Sequence, residues 1–268
     1  MATSAPCQCV NASVPAVKSF RTLGVRVDAV QIPKVIAQME GWIGTRERCR
    51  YVAVTGMHGV TEAQRDPEFR QILNSADLVV PDGMPLVWVA RLRGHRLKRR
   101  VYAPELMLQF CEEAASKGYR HYFYGGAPGV AEKLASVLQT RFPGLRVAGV
   151  CSPPFRPLTQ EEDDGIVAAI NRAAPDIVWV GLSTPKQERW MFEHRDRLRV
   201  PVLVGVGAAF DINANVKKQA PAWMREHGME WSFRLLQEPC RLWKRYLIYG
   251  SQFVVLEALE LLGLRRSR

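Results

Sequence analysis

Apolar and polar positions along the chain alternate between short, dense apolar runs and longer stretches with helical spacing. Val25–Val30, Tyr51–Thr55, Leu78–Val80, Tyr119–Tyr124, Leu145–Val150, Asp176–Gly181 and Val202–Val206 read as strands. Between the first two, Ile32, Val35, Ile36, Met39 and Ile43 share one helical face. Two helical stretches follow Thr55, the second opening at Pro67, a favoured first helical position. Pro104 opens a helix to Lys117, which Gly118 stops. A further helix runs to Arg141. Thr159 with Glu162 spells a capping box ahead of a helix to Arg172. Ser183-Thr184-Pro185-Lys186-Gln187-Glu188 opens one more, to about Asp196. Strands and helices alternating at this spacing predict an α/β fold: a mostly parallel, Rossmann-like sheet with helices on both faces.

The two ends break the pattern. Residues 1–19 are small and polar with two prolines and read as a loose tail, leaving 20–220 as the α/β core. Residues 221–268 show no strand and are rich in Trp, Arg and Leu, which predicts a helical C-terminal appendage. Tyr246–Leu264 is strongly apolar, but Glu257 and Glu260 make it a poor membrane span. Two readings stand. It can lie on a membrane surface as an amphipathic helix ending in Arg265, Arg266 and Arg268. Or it docks on its own core or on another subunit, as the residues alone favour. Arg241, Lys244 and Arg245, set among Trp243 and Tyr246, are read as cations for an anionic membrane. A chain ending near Ala222 is expected to keep its fold, because every strand lies upstream.

Composition adds a sign. The 268 residues are 47% hydrophobic, enough for a sizeable core, and the net charge of +11 points to an anionic partner: nucleotide, phospholipid or nucleic acid. Six cysteines (Cys7, Cys9, Cys49, Cys111, Cys151 and Cys240) lack zinc spacing and are read as free thiols in a reducing compartment. The N-terminus has no basic start before an apolar core, so no signal peptide is expected. Arg91–Arg100 holds six Lys or Arg and no acid; it reads equally as an anion site and as a solvated face.

Candidate chemistry collects where strands stop. Pro81 ends one run and Asp82 follows, held by Gly83 before the next apolar stretch. In open α/β sheets ligands sit outside the carboxyl ends of strands. Asp82 there is placed to take a proton from a substrate hydroxyl. Asp is equally at home in a turn or helix cap, which is the first reading of this stretch taken alone. Gly125-Gly126-Ala127-Pro128-Gly129, between a strand and a helix, has the layout of a phosphate cradle. It lacks the ribose-binding acid of a dinucleotide fingerprint, and close packing explains its glycines as well. Histidines are far apart, no nucleophile elbow is present, and no Asp-x-Asp metal pair occurs. A leaving diphosphate would then be met by cationic side chains or helix N-termini.

PDGMPLVW around Asp82, YFYGGAPGVAEKLA at 122–135, INRAAPDIVWVGLSTPKQERWM at 170–191, GVGAAFD at 205–211 and APAWMREHGMEWSFRLLQEPCRLWKRYL at 220–247 together resemble the WecG/TagA/CpsF glycosyltransferases, glycosyltransferase family 26. The resemblance covers roughly residues 20–247. It implies inverting transfer of a sugar of N-acetylmannosamine, uronic or hexose type, from a UDP-sugar onto a polyprenyl-diphosphate-linked saccharide. Such chemistry serves bacterial surface polysaccharides, at the cytoplasmic face of the plasma membrane; no cofactor is expected, and the missing Asp-x-Asp and histidine cluster predict that no metal is needed. It implies that Asp82 is the general base and Thr55 its catalytic neighbour. Gln187 would hold substrate hydroxyls, and Arg234 would neutralise the diphosphate. Gly125 and Gly126 remain candidates on the donor side. Where many members carry Thr-x-Asn, this chain reads Thr55-Gly56-Met57, which makes His58 a substitute. Ala103-Pro104-Glu105-Leu106 and Gln219 also depart from the family pattern, bearing on substrate identity rather than reaction class. Partners implied are the donor, the lipid-linked acceptor and an anionic membrane surface, met by residues 221–268 as a membrane-associating appendage, but no nucleic acid; a homo-oligomer is compatible. The alternative is a non-catalytic basic α/β module binding nucleotide or nucleic acid, which the lack of aromatics interleaved with the basic run disfavours.

Overall fold

The computed structural model of the protein describes residues 17–264. Cys7 and Cys9, most of the expected N-terminal tail, and Arg265, Arg266 and Arg268 lie outside the described residues. Six strands form one sheet in the order β4-β3-β8-β7-β5-β6, and every neighbouring pair is parallel. They are β3 (Arg50–Thr55), β4 (Leu78–Pro81), β5 (Arg120–Gly125), β6 (Arg146–Cys151), β7 (Ile177–Gly181) and β8 (Val202–Gly205). Successive strand side chains point to opposite faces, and the sequence exploits this with apolar residues at most strand positions. Val52 and Val54 enter one core with Leu78, Val80, Trp179 and Val204. Tyr51 and Ala53 enter the other with Val79, Val178, Val180 and Leu203.

The first core is covered by α1 (Ile32–Thr45), α5 (Ala103–Lys117), α6 (Val130–Arg141) and α9 (Ala209–Asn213). The second is covered by α2 (Met57–Arg65), α3 (Pro67–Asn74), α4 (Met84–Leu92), α7 (Gln160–Ala173) and α8 (Lys186–His194). The predicted α/β architecture with helices on both faces is therefore what forms. The capping box is realised: Glu162 N–H donates to Thr159 Oγ1 at 3.2 Å, and Thr159 N–H donates to the Glu162 carboxylate at 2.9 Å. Cys49, Cys111, Cys151 and Cys240 are free thiols.

One predicted strand belongs elsewhere. Val25–Asp28 (β2) pairs antiparallel with Ser19–Thr22 (β1) in a separate hairpin, so ordered chain already starts within the stretch read as a tail. Leu23 and Gly24 turn it, both at positive φ, 50° and 78°. The hairpin closes the β4 edge with a side chain rather than a ladder. Asp28 Oδ2 accepts the Val79 N–H at 2.7 Å, and burial raises the Asp28 pKa. An edge N–H left unmatched invites pairing with other chains.

The C-terminal segment consists of α10 (Ala222–Glu226), α11 (Glu230–Gln237), α12 (Pro239–Trp243), a π turn at Lys244–Ile248, and α13 (Tyr249–Leu261). Of the two readings of Tyr246–Leu264, docking on the core is what the structure contains. Phe253 is buried in the second core, and α13 lies along α2. Glu257, buried, accepts from Thr22 Oγ1 at 2.6 Å and pairs with Arg93 at 2.8 Å. Glu260 pairs with the same guanidinium at 2.7 Å and accepts the Leu23 N–H at 3.1 Å. The two acids that spoil the segment as a membrane span are thus its anchors. Val254, Val255, Leu261 and Leu262 stay exposed on its outer side. Among the described residues no helix is long and apolar enough to cross a membrane.

The basic run is neither an anion site along its length nor a freely solvated face. Arg91 caps the carbonyls of Leu97 and Lys98 at 2.8 Å each. Arg93 holds Glu257 and Glu260, Arg99 pairs with Glu226 at 3.1 Å, and Arg100 pairs with Glu230. The run is chiefly a clasp for acids of the C-terminal segment.

Candidate active site

A cleft of about 850 Å³ opens over the C-terminal ends of β3, β4, β7 and β8. Parallel strands end there together, and the chain must turn away from the sheet, which leaves side chains at the turns facing a common crevice. Asp82 follows β4 at its floor. Its N–H donates to the Thr55 carbonyl at 2.7 Å, so the end of β3 fixes the backbone of Asp82. About 30% of the Asp82 side chain faces the cleft, while Oδ1 is shielded and has no hydrogen-bond partner. Arg100 Nη1 approaches that oxygen at 3.9 Å.

Burial dominates the acidity of Asp82 and lifts its pKa to about 6. Arg100, Arg234 and Arg245 pull it down, and Glu230 pushes it up. A carboxylate in that range is ionised at neutral pH and more basic than an ordinary aspartate, as a general base needs. Glu230 sets how much of the Arg100 charge reaches Asp82. It is buried, pairs with Arg100, and accepts from Tyr102 Oη at 3.0 Å.

Thr55 ends β3 and is buried, with an unpartnered Oγ1. Two glycines let α2 start against it. A Cβ on Gly59 would lie 2.2 Å from Thr55 Oγ1, and one on Gly56 would lie 2.6 Å from the Asp82 carbonyl. Gln187, in the first turn of α8, is buried and lines the cleft. Its Nε2 donates to Glu188 Oε1 at 3.1 Å, which leaves Oε1 without a partner. Glu188 is buried, also accepts from Thr184 Oγ1 at 2.8 Å, and has its pKa raised by burial.

Arg234 of α11 lines the cleft, and its side chain carries no hydrogen bond or ion pair among the described residues. Arg245 in the π turn is the same. Burial lowers its pKa, and Arg234 lowers it further. Two unpaired guanidiniums beside a carboxylate form a seat for a polyanion. Arg241 also faces the cleft, tied to Glu238 at 3.1 Å. The reading of Arg241 and Arg245 as purely membrane cations is therefore corrected: both line the cleft. Positions 230, 234, 238, 241 and 245 have helical spacing, a signal in the sequence that marks one face.

The other candidates are placed less directly. Gly126 lines the cleft, but its N–H is already donated to the Gly181 carbonyl at 3.1 Å. Gly125 does not line it; a Cβ there would sit 2.7 Å from the Gly181 backbone, so close packing accounts for it. His58 stacks on Tyr249 of α13, ring centroids 5.1 Å apart, outside the cleft lining. Burial, helped by Arg245, lowers its pKa to about 4 and keeps the ring neutral at pH 7. Arg100, Glu188, Glu230 and Arg245 are the residues that sequence reasoning missed. Glu188 sits inside the quoted Pro-Lys-Gln-Glu block, and Arg100 at the end of the basic run.

The model of the Glycosyl transferase WecG/TagA/CpsF family matches residues 20–267, nearly the whole chain. The chain belongs to this family. Curated relatives include a Bacillus spizizenii protein, 34% identical over 186 residues, covering 69% of this chain and 70% of its own length. A Bacillus subtilis protein is 30% identical with the same coverage, and one from Staphylococcus aureus strain MW2 is 26% identical over 224 residues, covering 83% and 85%. All three are named N-acetylglucosaminyldiphosphoundecaprenol N-acetyl-beta-D-mannosaminyltransferase. As a WecG/TagA/CpsF member the chain is a glycosyltransferase, and the cleft is the place where its geometry concentrates reactive groups.

Proposed function

We propose that the protein transfers a sugar of N-acetylmannosamine type from UDP to a polyprenyl-diphosphate-linked saccharide, with inversion. The carrying observation is the juxtaposition of a carboxylate of raised pKa, Asp82, with two unpaired arginines, Arg234 and Arg245, in one cleft. Asp82 removes the proton from the acceptor hydroxyl as the oxygen attacks the anomeric carbon. The bond from that carbon to the UDP oxygen breaks on the opposite face. Arg234 and Arg245 stabilise the charge that develops on the diphosphate, the largest single contribution expected in such a site. Gln187 Oε1 accepts from a sugar hydroxyl, held in that sense by Glu188. The names of the relatives support the acceptor class and the transferred sugar. Trp243, Leu247 and Ile248, exposed beside the cleft-lining turn, together with Lys244, support contact with an anionic membrane surface at the inner face of a plasma membrane.

The test is incubation with a panel of UDP-sugars and a short-chain lipid-diphosphate N-acetylglucosamine acceptor, followed by mass spectrometry of the product. UDP-N-acetylmannosamine is expected to give a disaccharide. Absence of product with every donor would overturn the reading. Excess EDTA is expected to leave the rate within about twofold, because arginines rather than a metal neutralise the leaving group. Abolition by EDTA and rescue by Mg²⁺ or Mn²⁺ would contradict this.

The pH profile follows from Asp82. Its proton is lost as pH rises through about 6, so kcat/KM should climb across that range and level off above it. Glu230→Gln removes a negative charge that raises the Asp82 pKa and frees Arg100, which lowers it. Both changes act in one direction, so the acid limb of this variant should move to lower pH. An unmoved or upward-shifted limb would dissociate Glu230 from the titrating group.

A further inference from the structure

A second cavity, of about 520 Å³, lies on the other side of Tyr102 from the main cleft; Tyr102 lines both. Its walls carry Lys98, Arg99, Arg100 and Arg225 against Glu105 and Glu226. Arg100 is committed to Glu230 and Asp82, and Arg99 to Glu226. The Lys98 side chain has no hydrogen bond or ion pair among the described residues. The Arg225 side chain donates through Nε, to the Ala220 carbonyl at 3.1 Å, and lies 5.8 Å over the Tyr102 ring, which leaves its terminal nitrogens without a hydrogen bond. Two unspent cations thus face a cavity one side chain away from the carboxylate that meets the acceptor.

One wall of the cavity starts an apolar stripe. Met84 lines it, and Met84, Trp88 and Leu92 recur at four-residue intervals along α4, on one face. Trp88 is 49% exposed and Leu92 70%. At 1.5 Å per residue this stripe is about 12 Å long. Gly228 packs against its start: a Cβ there would lie 3.0 Å from Met84 and 3.7 Å from Trp88. Trp223, 56% exposed, precedes Arg225 on α10. A paired-phosphate seat continued by an apolar stripe has the shape of a lipid diphosphate, with charge meeting charge and hydrocarbon meeting hydrocarbon.

We infer that this second cavity holds the diphosphate of the acceptor lipid on Lys98 and Arg225, with its first isoprene units along Met84, Trp88 and Leu92. The inference rests on the transferase reading, and it adds a site separate from the one that takes the donor diphosphate. The acceptor would straddle Tyr102, its sugar at Asp82 and its lipid phosphates beyond.

Calorimetric titration of the full chain with farnesyl diphosphate, inorganic pyrophosphate and UDP tests it without requiring turnover. Farnesyl diphosphate should bind equally well with and without saturating UDP. A K98A/R225A variant should bind farnesyl diphosphate at least about tenfold more weakly while binding UDP as the wild type does, which also reports that it is folded. Trp88→Ser should weaken farnesyl diphosphate several-fold and leave pyrophosphate unchanged. Displacement of farnesyl diphosphate by UDP, or unchanged affinity in K98A/R225A, would overturn the site. So would a variant that binds farnesyl diphosphate normally but no longer floats with phosphatidylglycerol vesicles, since the surface would then serve the bilayer. Wild-type binding with these properties, combined with no sugar transfer from any donor, would keep the lipid-diphosphate site and discard the proposed function.

Discussion

Asp82→Asn is expected to lower turnover at least ~100-fold while UDP affinity stays within about twofold. General-base removal typically costs between ~100- and ~10,000-fold. The amide is nearly isosteric, so the link from its N–H to the Thr55 carbonyl survives, and so does the shape of the cleft. The loss should fall on kcat, because a base acts on the acceptor proton in the transition state. Arg100, Arg234 and Arg245 complicate the expectation in an instructive way. All three stabilise the Asp82 anion, so neutralising it leaves surplus positive charge in the cleft. UDP binding should therefore tighten slightly if it changes at all. Single-turnover assays on the lipid-linked acceptor, with UDP titrated separately, separate the two quantities. Near wild-type turnover would remove Asp82 from the mechanism and return it to the role of a turn residue.

Glu257→Ala is expected to destabilise the fold by about 3 kcal/mol, read as a fall in the urea midpoint at unchanged slope. The Glu257 side chain is 5% exposed, and it is the common partner of Thr22 and Arg93. Removing one member of a buried pair leaves the other uncompensated, typically at a cost of about 3–5 kcal/mol. Arg93 is 26% exposed and keeps Glu260, so the lower end applies. Glu257→Gln, which keeps an acceptor for Thr22, should lose less. A midpoint shift no larger than that of an exposed substitution would mean α13 adds nothing to the stability of the core. The same geometry revises the expectation for a chain ending near Ala222. That truncation removes Phe253 from the second core and both partners of Arg93, so it should lose stability together with activity. Presence of all six strands upstream is not sufficient, because one core is closed by a helix at the far end of the chain.

Much of the core was legible because its signal is local. Seven apolar runs are seven real strands, and Thr159 with Glu162 makes the cap its spacing spells. The misplacement of β2 has a physical reason. An antiparallel hairpin strand and a parallel sheet strand of four residues carry the same apolar density, and only the partner distinguishes them. The candidate site was legible in part: Asp82 and Thr55 stand where β4 and β3 stop, and the family resemblance gave them their roles. Arg100 and Glu230 were not, because their roles are set by partners brought close only by folding, whereas Glu188 has local partners, Thr184 and Gln187, and its signal went unread. Arg100 and Glu230 are 130 residues apart. Arg245 was misjudged for a related reason. Trp243, Lys244 and Tyr246 around it have the composition of a membrane interface, while the π turn aims Arg245 itself inward.

The pairing of the basic run with distant glutamates also sets an order of events during synthesis. A nascent chain that has released residues 1–220 owns every strand of the sheet but none of Glu226, Glu230, Glu257 or Glu260. Until those arrive, Arg93 and Arg99 lack the carboxylates they pair with, and Asp82 is the carboxylate left beside Arg100. The cleft then also lacks Arg234 and Arg245. Translation proceeds at about 5–20 residues per second, so residues 221–268 follow within roughly 2–10 s. Assembly of the candidate cleft therefore awaits the C-terminal segment, and a product that stops near residue 220 carries every strand of the sheet without Arg234, Arg241 and Arg245.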